Sequence, residues 1–237
     1  MVGIAVSGLM SILLYYLVLF VDVKMQCYPI KITLKNMRSD YALHLLKKGI
    51  VFQAFPVSHA IQNQGYILVV NYLLGPIAVT LFTTLRTLVR SANQVMELIN
   101  QSVWPELSVL LGAKRMKEAE EVHDNAVKIS AIAAFGIVLV LLIFGPFLYS
   151  FWLGKAVEVN RELLIWFILP IPLTAWWFTS SVVLLASNQY EGYALRYILI
   201  SVLGLFAAWG LGYKFGMPGI AISLAVIDLL MIWYIRG

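Results

Sequence analysis

The chain has 237 residues, 61% of them hydrophobic and 12% charged, with a mean hydropathy of +0.86. Soluble domains carry about 45–50% apolar and about 25% charged residues, so a water-soluble cytosolic or secreted globular fold is excluded. The net charge of +5 looks at first like a nucleic-acid signal, and the single cysteine, Cys27, excludes a disulfide framework and a cysteine-built metal centre. What remains is an all-α polytopic membrane protein, with room for about seven helices of about 20 residues each.

Seven apolar stretches follow in order. The first, 3–21, carries no charge and no basic leader precedes it, so it reads as a spanning helix that starts outside rather than a signal peptide. A basic connection, 22–48, comes next. The second stretch, 49–74, is wetter, with Gln53, Ser58, His59, Gln62, Asn63, Gln64 and Asn71. The third opens at Pro76, a suitable first-turn residue, and runs to about 103. Stretches 126–153, 163–186, 194–213 and 217–235 complete the set, punctuated by Gly112, Gly154, Gly192 and the Gly216–Pro218 turn signal.

Basic residues read as topology. Lys24, Lys31, Lys35, Arg38, Lys47, Lys48, Lys114, Arg115, Lys117, Lys128, Arg196 and Arg236 fall on one side of this alternation, against Lys155, Arg161 and Lys214 on the other. Basic loops stay in the cytoplasm, which predicts an N-out, C-in protein and leaves nucleic-acid binding without support. Tyr149, Phe151 and Trp152 at one interface and Trp233 and Tyr234 at the other agree with that frame.

Arg86 and Arg90 fit neither side. They lie ten and fourteen residues into the third helix, about 15–21 Å deep at about 1.5 Å per residue, near the midplane. Arginine there costs at least about 2.5–3.5 kcal/mol, so it must face protein or water. Arg86, Arg90, Asn93, Glu97 and Asn100 alternate by three and four and so share one helical face. That seam reads either as a cationic cavity for an anionic substrate or as charges neutralised inside a packed bundle, with Arg90 and Glu97 offsetting each other or their neighbours. Asp228, also near the midplane, either binds a coupling proton or cation or, the reading preferred from sequence, balances Arg86 or Arg90. His59 is a further candidate for coupling, since imidazole titrates near neutral pH.

Enzyme signatures are missing. There is no Asp-x-Asp, His-x4-Asp, HExxH, GxSxG or Gly-rich phosphate loop, and no metal-ligand cluster. The alternating charges of 114–124 suggest a short solvated helix on the cytoplasmic surface. The expectation is a non-enzyme without cofactor or metal.

The segments Gln64-Gly65-Tyr66, Asn71 to Gly75, Phe82 to Leu88 and Asn100-Gln101-Ser102-Val103-Trp104-Pro105-Glu106-Leu107-Ser108 resemble the Wzx-type oligosaccharide flippases. These belong to the superfamily that also holds MATE drug exporters and lipid II flippases. Phe215 to Ser223, ahead of Asp228, is similar to their last helix, so the resemblance covers about 49–237. It implies one lobe of a two-lobed, V-shaped transporter that opens alternately to either side. The cargo would be a polyprenyl-diphosphate-linked oligosaccharide, moved across the bacterial inner membrane for O-antigen, capsule or exopolysaccharide synthesis. On this alignment 1–21 is the last helix of a first lobe, 22–48 a cytoplasmic linker and 49–237 a six-helix second lobe. The partners implied are the lipid-linked substrate, the bilayer, the missing N-terminal half and polysaccharide synthesis proteins.

The leading expectation is therefore the C-terminal portion of a flippase, with Arg86, Arg90, Asn93 and Gln64 on the substrate and Asp228, Glu97 and His59 in coupling or charge balance. The alternatives are a MATE-like small-molecule exporter, whose cavity should be acidic, a membrane-embedded glycosyl- or acyltransferase, and a non-transporting scaffold.

Overall fold

The computed structural model describes residues 10, 13–19, 21–22, 39–153 and 161–236. Most of the stretch 3–21, Cys27, the basic residues Lys24, Lys31, Lys35 and Arg38, and Lys155 lie outside the described residues. Every described element is helical, and the protein is an all-α polytopic membrane protein.

The chain divides into two compact units, Met1–Leu45 and Leu46–Gly237. In the first, residues 13–19 belong to helix α1, with Leu13, Tyr15, Tyr16 and Leu17 exposed. Helix α2 (Ser39–Phe52) contains the division point, and it starts ten residues ahead of the apolar stretch expected from 49.

In the second unit, the wet stretch is not one regular helix. It runs as α3 (Ala54–Ala60), a π-helical turn (Ile61–Gly65) and α4 (Tyr66–Leu74). The chain then turns at Gly75 into α5 (Pro76–Gly112), which continues past Pro105 beyond the expected end near 103. Proline removes one ladder bond and crowds the preceding turn, but Pro105 is exposed, so water can take up the freed carbonyl there. Helix α6 (Met116–Leu153) absorbs most of the charged segment expected as a separate surface helix. Its first turns are tied down by the exposed Arg115–Glu118 pair, with Nε to Oε1 at 2.6 Å.

The stretch expected as one helix over 163–186 is broken into α7 (Arg161–Ile168), α8 (Ile171–Ser180) and α9 (Val182–Ala186). Pro170 and Pro172 lack the N–H groups that would carry the ladder through, which accounts for the first break. The sixth and seventh stretches form α10 (Glu191–Arg236), reversed at Gly216 (φ 64°, ψ −141°) into two antiparallel arms. That left-handed conformation is open to glycine and strained for other residues. The arms meet so closely at Gly219 that an added Cβ would collide with the Leu211 carbonyl. Small residues permit such backbone approach between membrane helices.

The core gathers Tyr66, Phe82, Phe167, Tyr193, Tyr197, Ile220 and Met231. Tyr66 stacks on Phe82, centroids 6.3 Å apart, and Phe82 meets Phe167 edge-on at 5.7 Å. Outward, α6 exposes Ile132, Phe135, Leu139, Ile143 and Phe147. A contiguous apolar stripe of this length is tolerable only against lipid.

Three helical segments among the described residues are long and apolar enough to cross a membrane: Met116–Phe151, Arg161–Ala186 and Glu191–Arg236, the last folded into two arms. That is fewer than the seven spans expected. The first stretch is largely undescribed, the second is divided into short pieces by its π-helical turn, and α5 is diluted by its polar seam.

Candidate functional site

The unbroken α5 makes the three-four spacing geometrically real: Arg86, Arg90, Asn93, Glu97 and Asn100 share one face. Burial differs along it. Asn100 is buried, Arg86 and Asn93 are half-buried, and Arg90 and Glu97 are exposed. The seam therefore emerges from the bundle onto an open surface.

Arg86 is committed to the protein. Its Nη1 donates to the Gln62 main-chain carbonyl at 2.6 Å, within the π-helical turn. The guanidinium carbon also sits 5.6 Å from the ring centroids of both Tyr66 and Phe82, within cation–π range. The turn is anchored on its other side, where Gln62 Nε2 donates to Ser201 Oγ at 2.9 Å. Ser201 Oγ in turn donates to the Tyr197 carbonyl at 2.7 Å. The Tyr66 hydroxyl donates to the Gly204 carbonyl at 3.1 Å and accepts from Ser223 Oγ at 3.1 Å. Helices α4, α5 and both arms of α10 thus meet around one arginine.

Arg90 has no such commitment. Among the described residues it makes no hydrogen bond and no ion pair, and Glu97 does not neutralise it. An Arg90–Glu97 pair, the alternative that the sequence left open, is not among the described contacts. His59 lies exposed on α3 with its ring edge-on to Tyr197, centroids 5.7 Å apart, within electrostatic reach of Glu97, Arg86 and Arg90. Asn93 Oδ1 and Asn100 Oδ1 are buried acceptors without a partner among the described residues, while Asn100 Nδ2 reaches the Phe178 carbonyl at 3.4 Å. Gln64 is exposed on the π-helical turn and makes no hydrogen bond among the described residues. Arg86, Arg90, Glu97 and His59 therefore share one region; Asp228 makes no ion pair with them among the described residues, but it shares Tyr66 and Tyr197 as neighbours with Arg86.

Asp228 corrects the ion-pair expectation. Its carboxyl is 6% exposed and is held from α8, by Trp177 Nε1 to Oδ1 at 2.7 Å and Thr174 Oγ1 to Oδ2 at 2.8 Å. No arginine pairs with it among the described residues. Neutral donors carry no charge signature in a sequence, which is why the arginines looked like the natural partners. Gln62, Thr174, Trp177 and Tyr197 are the site residues that sequence reasoning did not single out. The i, i+3 spacing of Thr174 and Trp177, which puts two donors on one helical face, is the signal that could have found the Asp228 donors in the sequence.

Beside the π-helical turn, Gly65, Leu68, Tyr72, Leu205, Phe206 and Trp209 line an open apolar groove of about 790 Å³. No group of three or more His, Cys, Asp or Glu side chains is placed to hold a metal among the described residues.

No family model and no solved structure matches the chain. Over 98% of its length it is 25% identical to a protein of Shigella dysenteriae named "Putative O-antigen transporter", and it spans 55% of that protein's length.

Proposed function

We propose that the chain is a transporting lobe of an oligosaccharide flippase. It moves a polyprenyl-diphosphate-linked sugar repeat from the cytoplasmic to the outer leaflet of the bacterial inner membrane, for surface polysaccharide synthesis. No covalent chemistry is involved.

One observation carries this reading: Arg90 is an exposed guanidinium on α5 of an apolar membrane protein, with no ion pair or hydrogen bond among the described residues. Such a charge is costly in a membrane unless water or an anion meets it. A diphosphate is a matched ligand, because guanidinium presents a planar fork of donors to phosphate oxygens. Arg86, one turn away, adds positive potential while it holds the π-helical turn. Asn93 and Gln64 supply amide groups suited to sugar hydroxyls, and the groove beside Gly65 offers apolar wall to the lipid chain. A polar face and an apolar groove that meet at one turn fit an amphiphilic cargo. The likeness to a protein named as an O-antigen transporter supports the same cargo class.

The seam is open on its outer side, so the pathway is completed by further helices, and the lobe works by rocking against them in alternating access. The basic bias of its loops orients the protein with 112–125 in the cytoplasm.

The test is genetic. Deleting the gene in its native strain should remove surface polysaccharide and leave lipid-linked repeat units on the cytoplasmic leaflet, with rescue by the wild type and not by Arg90→Gln. Unchanged surface polysaccharide in the deletion strain would contradict the proposal.

A further inference from the structure

Asp228 lies buried in the second arm of α10, in the interior of a membrane protein, with no cation paired to it among the described residues. Its two partners, Trp177 and Thr174, are neutral. An unpaired buried carboxylate is expensive in a membrane interior, and two neutral donors offset only part of that cost. The site therefore calls for a positive charge, either a metal cation or a proton.

The hydrogen-bond geometry chooses between them. A metal cation needs several oxygen lone pairs that converge on one point. Here Oδ1 is occupied by the indole N–H of Trp177 at 2.7 Å, a donor whose hydrogen would repel a cation. The Thr174 hydroxyl completes the argument. Its Oγ1 stands 2.8 Å from Asp228 Oδ2 and 3.1 Å from the Pro170 carbonyl. A hydroxyl has one proton to donate, so with an ionised Asp228 two acceptors compete for it. With a protonated Asp228 the competition disappears. The acid O–H then donates to Thr174 Oγ1, Thr174 donates to the Pro170 carbonyl, and Trp177 still donates to Oδ1. Pro170 sits where α7 ends and α8 begins, between Ile168 and Ile171.

We infer that Asp228 is a proton-binding site within the membrane, and that the Thr174 hydroxyl relays its protonation state to the Pro170 break between α7 and α8. The proton comes from water and forms an O–H bond at Oδ2. No other covalent bond changes, and the Thr174 proton rotates from Oδ2 to the Pro170 carbonyl. The titratable groups packed nearby are Tyr197 on the first arm of α10, whose ring is 5.6 Å from Trp177, and Tyr66 on α4. His59 on α3 lies behind Tyr197. Arg86 on α5 acts on Tyr66 and Tyr197. Helix α8 itself carries no ionisable side chain, and Arg161 and Glu162 stand at the far end of α7. The inference stands whatever the cargo proves to be.

Dicyclohexylcarbodiimide, an apolar reagent that attacks protonated carboxyls, tests it on the full chain in native membranes, read by peptide mass spectrometry. Asp228 should label at mildly acidic pH and lose labelling as the pH turns alkaline. Trp177→Phe removes a donor that serves the charged form best, whereas Thr174→Val removes a hydroxyl that both forms use, as donor to the carboxylate and as acceptor from the acid. Hydrogen bonds to charged groups are stronger than those to neutral ones, so Trp177→Phe should tighten proton binding about tenfold and carry labelling to higher pH, with Thr174→Val shifting it the same way by less. Absent labelling throughout, or labelling that ignores pH or both substitutions, would overturn the inference. Protection by sodium at constant pH would overturn it in favour of a metal cation.

Discussion

Arg86 grips the main-chain carbonyl of Gln62 at 2.6 Å, tying α5 to the π-helical turn that α4 follows. Four residues on, Arg90 is on the same face with no partner among the described residues. Two arginines that look equivalent in sequence are thereby assigned different work: one holds the fold and one faces the open surface.

That division is measurable by stability. Arg86→Gln loses a charge-assisted hydrogen bond, worth about 1.5–3 kcal/mol, and two cation–π contacts. Its melting temperature in detergent should fall by several degrees, with Arg86→Lys intermediate. Arg90→Gln should melt with the wild type. Equal melting of the two glutamine variants would erase the distinction.

Function should divide the other way. Arg90→Gln should insert and accumulate normally while export of surface polymer falls at least about tenfold, as loss of a bidentate phosphate contact implies. Arg90→Lys should recover part of the activity, because it keeps the charge without the planar fork. Normal export by Arg90→Gln, scored against protein level on immunoblots, would remove Arg90 from the cargo pathway.

The α10 hairpin makes a packing prediction. A Cβ at Gly219 collides with main chain, which cannot move aside as a flexible side chain can, whereas one at Gly210 meets nothing within 4 Å. Gly219→Ala should therefore cost about 1–3 kcal/mol or more and cut the yield of monodisperse protein. Gly210→Ala should leave that yield unchanged. Size-exclusion profiles of fluorescent fusions separate these outcomes.

Orientation is accessible through the chain's single cysteine. With the basic connections in the cytoplasm, Cys27 should resist a membrane-impermeant thiol reagent in intact cells and react after lysis. Labelling in intact cells would reverse the orientation.

Much of the architecture is legible in the sequence because it follows from strong local chemistry. Pro76 starts α5, Gly216 and Pro218 turn the last two stretches back on each other, and the three-four spacing from Arg86 to Asn100 predicts a shared face. What escapes is what depends on distant partners. The π-helical turn at 61–65 shows only as a run of polar residues, since its shape is fixed by Arg86 and Ser201 from elsewhere in the chain. Helix α6 hides its start because 116–125 looks like a solvated surface segment although it is continuous with an apolar span. Asp228 finds its donors 51 and 54 residues away, and both are neutral. Charge alone therefore pointed to the arginines.

The most direct measurement of the central claim is translocation itself. Inner-membrane vesicles of the native strain, which hold the chain together with the helices that complete its pathway, are loaded with a fluorescent polyprenyl-diphosphate-linked oligosaccharide and scored by how much label an impermeant quencher or sugar-oxidising reagent reaches over time. The wild type should equilibrate reagent-accessible label across the bilayer faster than vesicles of the deletion strain, and Arg90→Gln should abolish the gain. Equal rates for wild type, Arg90→Gln and deletion vesicles would contradict the proposal.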